Sequence, residues 1–93
     1  MIDIQQNKVE NRFEGILNGE VAFVSYEISD GSINLYHTEV PPAFEGEGVG
    51  QALVRTALEF AREQGLSVIP SCPFVAAYIR RHREYQGLVR EEI

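Results

Sequence analysis

A chain of 93 residues with one cysteine, two histidines and a net charge of −6 is sized for one domain, and its acidity argues against the basic footprint of a general nucleic-acid binder. One cysteine excludes an internal disulfide framework, and with two separated histidines it makes no metal-ligand cluster. No apolar run approaches the roughly eighteen residues of a membrane span, and the opening MIDIQQNKVE has no signal-peptide pattern. A cytoplasmic protein without membrane or nucleic-acid partners is the expectation.

The first forty residues read as strands. From Val9 to Leu17 the side chains follow a largely two-residue period. Asn18-Gly19 then supplies a pair that tolerates positive φ, as a tight hairpin turn requires. Glu20 to Ser29 forms a second strand with apolar residues on both faces, Asp30-Gly31 repeats the turn signal, and Ser32 to Val40 forms a third. The result is an antiparallel three-stranded meander. Past the glycine-rich run PPAFEGEGVGQ, the period becomes helical: Val49, Leu53, Ala57, Phe60 and Ala61 share one side, with Val54 and Leu58 beside them. Arg55 and Glu59 are placed to pair on the wet side. Gly65 stops the helix, and Leu66 to Pro70 makes a short apolar strand. Strand, helix and strand in that order imply that the two strands run parallel. Pro73 suits the first turn of a last helix, with Cys72 at its N-cap. Phe74, Ala77, Tyr78 and Arg81 recur along one face of it, and Val75, Ile79 and His82 along another. The tail REYQGLVREEI is expected to fray or to turn over the sheet. The fold class is mixed α/β, with four strands and two main helices.

The run from Pro41 to Gln51 carries glycine at 46, 48 and 50, separated by Glu47 and Val49 and preceded by Glu45. It is not a nucleotide P-loop, because no Lys-Ser or Lys-Thr follows. Nor is it a dinucleotide fingerprint, because Gln stands at 51 where the third glycine belongs. A glycine-rich turn between a strand and a helix presents unpaired backbone N–H groups at the positive end of the helix dipole, a generic anion cradle. A tight turn with only a structural purpose fits the same residues.

The segment VPPAFEGEGVGQALV resembles the signature of the GCN5-related N-acetyltransferases, roughly Val-x-Pro-x-Tyr-Arg-Gly-x-Gly-Ile-Gly and then a helix. Val40, Pro42, Phe44, Gly46, Gly48, Val49, Gly50 and Leu53 fit it in type or identity. HTEV before the loop and SCPF…YI…H…EY after it match the small, single-domain branch of that superfamily, and the likeness runs from about Val9 to Leu88, within one domain spanning residues 1–93. The resemblance implies acetyl-CoA (or CoA) as the ligand. The N–H groups of Glu45, Gly46, Glu47, Gly48, Val49, Gly50 and Gln51 would hold its pyrophosphate. Backbone groups of Val40 would meet the pantetheine where the parallel strands splay. The superfamily usually has Arg or Gln at the place of Glu45 and often a basic residue at 47, so weaker binding is implied, with Arg80, Arg81 or Arg83 as the offset.

Acetyl transfer to an amine needs a base, a donor for the departing thiolate and polarisation of the carbonyl. Tyr78 is the implied donor, set against a core tyrosine with a satisfied hydroxyl. Cys72, at a helix N-terminus that stabilises a thiolate, is a candidate acetyl acceptor, set against a small buried hydrophobe. His37 and Glu39, two apart on the third strand and so on one face, are candidate bases, set against a sheet histidine that organises the loop and a solvated carboxylate. The chain is shorter than most of the superfamily, which implies an open acceptor site suited to a protein or peptide amine, or a wall borrowed from a second subunit in a homodimer. The expected function is acetyl-CoA-dependent N-acetyl transfer to an unspecified amine. The alternatives are a module that binds acetyl-CoA without turnover and thiol-acetyl exchange through Cys72.

Overall fold

Two hairpin turns set the sheet. Asn18 and Gly19 take φ of 52° and 80°, and Asp30 and Gly31 take 52° and 76°, the paired left-handed conformations that match the twist of the strands they join. The computed structural model describes residues 2–90. Its strands are β1 (Gln5–Asn7), β2 (Arg12–Leu17), β3 (Glu20–Ser29), β4 (Ser32–Glu39) and β5 (Ser67–Ile69). They lie in the order β1-β2-β3-β4-β5, with β4 and β5 parallel and every other pair antiparallel. The helix α1 (Val49–Gln64) connects β4 to β5, and α2 (Pro73–Arg81) follows. Short 3-10 helices occupy Pro42–Phe44 and Arg83–Leu88.

The sheet has one strand more than the sequence pattern predicts. Gln5–Asn7 pairs with Arg12–Glu14 although Gln-Gln-Asn has no apolar alternation to announce it. The strand expected from Val9 starts instead at Arg12, because Asn11 turns at φ 56° and Val9 stands 89% exposed at the hairpin tip.

One face of the sheet meets both helices. Phe13, Ala22, Val24, Tyr26, Ile33 and Leu35 pack with Leu53, Val54, Ala57, Leu58 and Ala61 of α1 and with Val75, Tyr78 and Ile79 of α2. Burying each of the larger side chains contributes about 1.5–3 kcal/mol. The helical face of α1 is the one its apolar spacing predicts, and it ends at Gly65, φ 70°, where the Leu66 N–H reaches back 2.9 Å to the Ala61 carbonyl.

The wet side of α1 differs from expectation. Glu59 pairs with Arg62 at 3.1 Å rather than with Arg55. It also accepts a 2.7 Å hydrogen bond from the buried Tyr85 hydroxyl, over whose ring Arg62 lies. This contact folds the tail back: Val89 bridges Val68, and the Arg90 N–H donates to the Val68 carbonyl at 2.8 Å. The last three residues of the predicted tail, 91–93, lie outside the described residues.

Two stability predictions follow from this packing. Leu53→Ala should cost about 3 kcal/mol in urea unfolding, because Leu53 is fully buried in the core. Burial and the Glu59 carboxylate push the Tyr85 hydroxyl up from 10.0 to about 12. The fold therefore favours protonated Tyr85, and that contribution is complete below pH 10 and lost as pH rises toward 12. Urea midpoints measured across this range should fall, and Tyr85→Phe should flatten the fall.

Candidate functional site

The site begins with an irregularity in β4. Ser25 pairs with His37 while Tyr26 pairs with Leu35, so Tyr36 is an extra residue on β4. Such a bulge resets which side chains face which way. Thr38 returns to the core face opposite Val24, and His37 and Glu39 fall on the other face, opposite Ser25 and Phe23.

The second element is the early end of β5. Its pairing with β4 covers only Ser32–Asn34 against Ser67–Ile69. Pro70 has no N–H to continue the ladder, and the chain turns so that the Cys72 N–H donates to the Leu35 carbonyl at 3.0 Å. Beyond Leu35, β4 runs on without β5 beside it, and the strands have parted. Thr38 and Cys72 stand at this parting, with Thr38 Oγ1 3.4 Å from Cys72 Sγ.

The glycine run closes the end of the gap. Pro42–Phe44 forms a single 3-10 turn whose bonds continue into the loop: the Glu45 N–H donates to Pro42 and the Glu47 N–H to Phe44, each at 3.0 Å. Gly46 and Gly48 take φ of 83° and 69°, a conformation that penalises other residues. A Cβ at either would meet nothing within 4 Å, whereas one at Gly50 would lie 3.0 Å from the Phe74 ring. So Gly46 and Gly48 are bare toward open space, and Gly50 is bare because Phe74 sits on it. The N-cap Gly48 has no side chain to cap α1. Among the described residues, the N–H groups of Gly46, Gly48, Val49, Gly50 and Gln51 have no intramolecular acceptor. The structure thus narrows the predicted cradle: Glu45 and Glu47 use their N–H groups to close the turn.

Two adjoining hollows follow. One of about 250 Å³ is lined by Val40, Phe44, Glu45, the three loop glycines, Val49, Gln51 and Phe74. The other, of about 320 Å³ between α1 and α2, is lined by Gln51, Phe74, Ala77, Tyr78, Arg81 and His82. They share Gln51 and Phe74. Glu45 borders the first hollow and Glu47 does not. A separate hollow of about 320 Å³ at the β1–β2 edge, lined by Asp3, Gln5, Glu14 and apolar residues, has only carboxylates as its charged groups and is unsuited to an anion.

The four residues proposed for chemistry occupy three places. Cys72 is the N-cap of α2 and is 7% exposed. Burial pushes its thiol up, but the Thr38 hydroxyl and the N–H groups of Val75 and Phe74 together outweigh that and hold it below its ordinary value. Tyr78 is buried, stacks on His82 with ring centroids 3.9 Å apart, and accepts a 3.2 Å hydrogen bond from Arg55 Nε. It lies in the α1–α2 hollow. His37 Nε2 and Glu39 Oε1 are 3.3 Å apart, 54% and 59% exposed, on the face turned away from Thr38. Thr38 and Arg55 were not singled out by the sequence pattern. Without the bulge, nothing marks Thr38 as facing Cys72, and helical spacing assigns Arg55 to a surface pair.

In this arrangement strands part beside a glycine turn that opens a helix with bare N–H groups. Residues 12–88 match the family described as GCN5-related N-acetyl-transferase, and the chain belongs to that family. It is similar to a GCN5-like protein of Staphylococcus aureus solved by NMR, with 32% identity, a TM-score of 0.74, and coverage of 98% of this chain and 90% of that one. Protein NATD1 of Xenopus tropicalis is 30% identical over 92 residues, 96% of this chain and 84% of its own length. The streptothricin acetyltransferase of Streptomyces lavendulae is 33% identical over 81 residues, 81% of this chain but 42% of that enzyme. Proteins of this family transfer an acetyl group from acetyl-CoA. Among the described residues, no helix is long and apolar enough to cross a membrane.

The Thr38–Cys72 contact can be tested alone, because Cys72 is the only thiol. Following thiolate absorbance with pH should show Cys72 titrating below an ordinary cysteine. Thr38→Val removes a hydrogen bond to the thiolate and should move that midpoint upward. An unchanged midpoint would mean that the hydroxyl does not stabilise the thiolate.

Proposed function

We propose that this chain is an acetyl-CoA-dependent N-acetyltransferase acting on an amine, with its glycine loop as the pyrophosphate cradle. One observation carries the reading: among the described residues, five backbone N–H groups, at Gly46 and from Gly48 to Gln51, lack internal partners beside two glycines with nothing within 4 Å of a would-be Cβ. That is the opening a phosphate needs for close approach to main chain, at a helix end whose dipole favours negative charge. When bound, acetyl-CoA supplies a thioester whose carbonyl is open to attack by an amine.

The protein's own groups divide the remaining work. Val40, at the end of β4 and bordering the loop hollow, offers main chain to the pantetheine arm. Thr38 and Cys72 lie where the strands part and supply a hydroxyl and a thiol at the thioester end. His37 and Glu39 form a hydrogen-bonded pair on the exposed face, able to take a proton from an arriving amine. No described element walls off that face, which suits a bulky acceptor such as a protein or peptide amine.

A second reading is favoured by the lowered thiol pKa and by the Thr38 contact. In it the Cys72 thiolate attacks the thioester carbonyl, the CoA thiolate departs, and the acetyl group on sulfur then passes to the amine. Mass spectrometry after acetyl-CoA treatment separates the two readings: an added acetyl on Cys72, absent in Cys72→Ser, supports exchange through the thiol.

Calorimetric titration with acetyl-CoA should give saturable one-to-one binding. Gly48→Asp should weaken it at least about tenfold, since Asp tolerates the left-handed conformation better than most residues yet sets a carboxylate in the cradle. Binding that is unchanged in Gly48→Asp would overturn the loop assignment. Binding without turnover on any amine would leave a binding module.

A further inference from the structure

The helices pack on one face of the sheet, and among the described residues no element packs on the other across β2, β3 and the end of β4. Strand register sets out that bare face in rows. Arg12, Ser25 and His37 stand side by side, then Glu14, Phe23 and Glu39, then Ile16 and Val21. The middle of the face is therefore apolar, and the carboxylates of Glu14 and Glu39 border it on either side.

Charge is divided unevenly along the chain. Residues 1–54 hold two cations, Lys8 and Arg12, against nine carboxylates, whereas residues 55–93 hold six arginines against five carboxylates. The bare face belongs to the acidic half, and the cation within it is already engaged. Arg12 Nε donates to Glu14 at 2.8 Å while its guanidinium lies 4.7 Å over the Phe23 ring. Arg12 shows what the face accepts: a cationic head on a carboxylate, with the rest of the side chain on an apolar surface. On the other side of the same ring Glu39 is 59% exposed, with the His37 ring beside it. Arg90 reaches the sheet at its far corner, 3.2 Å from Ser32 Oγ.

We propose that this bare face docks the amine acceptor, and that the acceptor is a cationic polypeptide segment. Its reactive lysine reaches the His37–Glu39 pair while neighbouring basic side chains lie over Phe23, Val21 and Ile16. This rests on the reading of the chain as an N-acetyltransferase. The fit is one of charge: an uncovered acidic face meets a segment that carries the cations this half of the chain lacks. A neutral or acidic segment would cover Glu14 and Glu39 with nothing to offset their desolvation.

The test uses the full chain, acetyl-CoA and two short N-terminally blocked peptides, each with one central lysine, flanked by arginines in one and by glutamines in the other. Wild type should acetylate the arginine-flanked peptide with a kcat/KM about tenfold higher at low salt. Salt at about 0.5 M should remove most of that preference. Val21→Arg sets a cation on the face and should bring the preference close to one without lowering kcat/KM for the glutamine-flanked peptide. Glu63→Gln makes the same change in net charge on the exposed side of α1 and should retain the preference. Equal use of the two peptides by wild type would overturn the docking surface and leave the transferase reading standing. So would a preference that Val21→Arg leaves intact. If neither peptide is acetylated, transfer to a peptide amine falls, and amide chemical shifts on titration with the arginine-flanked peptide decide the surface. Shifts centred on Phe23, Ser25 and Glu39 would uphold it, and none there would overturn it.

Discussion

The loop and the start of α1 leave five backbone N–H groups with no acceptor among the described residues, and the rest of the site is arranged around that deficit. Most helices satisfy one such donor with a capping side chain. A glycine at the N-cap gives up only a few tenths of a kcal/mol relative to the best caps, so the omission is cheap. Gly46 and Gly48 hold the left-handed backbone that aims the loop. Glu45 and Glu47 close the turn through their own N–H groups. The main chain of these two residues thus serves the turn, and of the two only Glu45 borders the loop hollow.

The loop is coupled to the last helix through one ring. Phe74 occupies the space that a side chain at position 50 would need, and Phe74 follows Pro73, the first residue of α2, whose N-cap is Cys72. The position of the thiol and the shape of the glycine loop are therefore set by the same packing. The bulge at Tyr36 and the proline after β5 act on the other side of the gap. One turns Thr38 toward Cys72, and the other stops the ladder so that the gap exists. Thr38 then falls on one face of β4 and His37 and Glu39 on the other.

Much of this was legible in the sequence, for reasons that differ by residue. Asn18-Gly19 and Asp30-Gly31 announce hairpins because few other pairs take two positive φ values in succession. The stripe from Val49 to Ala61 announces α1 because it buries a continuous face. The glycine run with its flanking valine and proline, joined to the final SCPF…EY pattern, pointed to the family that the comparisons establish. What stayed hidden depends on tertiary pairing. A bulge is invisible to a two-residue period, so Thr38 could not be placed. A strand of Gln-Gln-Asn exists only because β2 offers it an edge. Arg55 reads as half of a surface ion pair until Tyr85 claims Glu59 and Tyr78 accepts from Arg55.

The central claim is that the open N–H groups of the loop are the binding surface. Residue-resolved amide hydrogen exchange, with and without saturating acetyl-CoA, tests it most directly. In the free protein Gly46, Gly48, Val49, Gly50 and Gln51 should exchange fast, while Glu45 and Glu47 are already protected by the turn. Acetyl-CoA should slow the first five and change Glu45 and Glu47 little. Protection that appears elsewhere on the molecule, with those five still exchanging freely under saturation, would contradict the account.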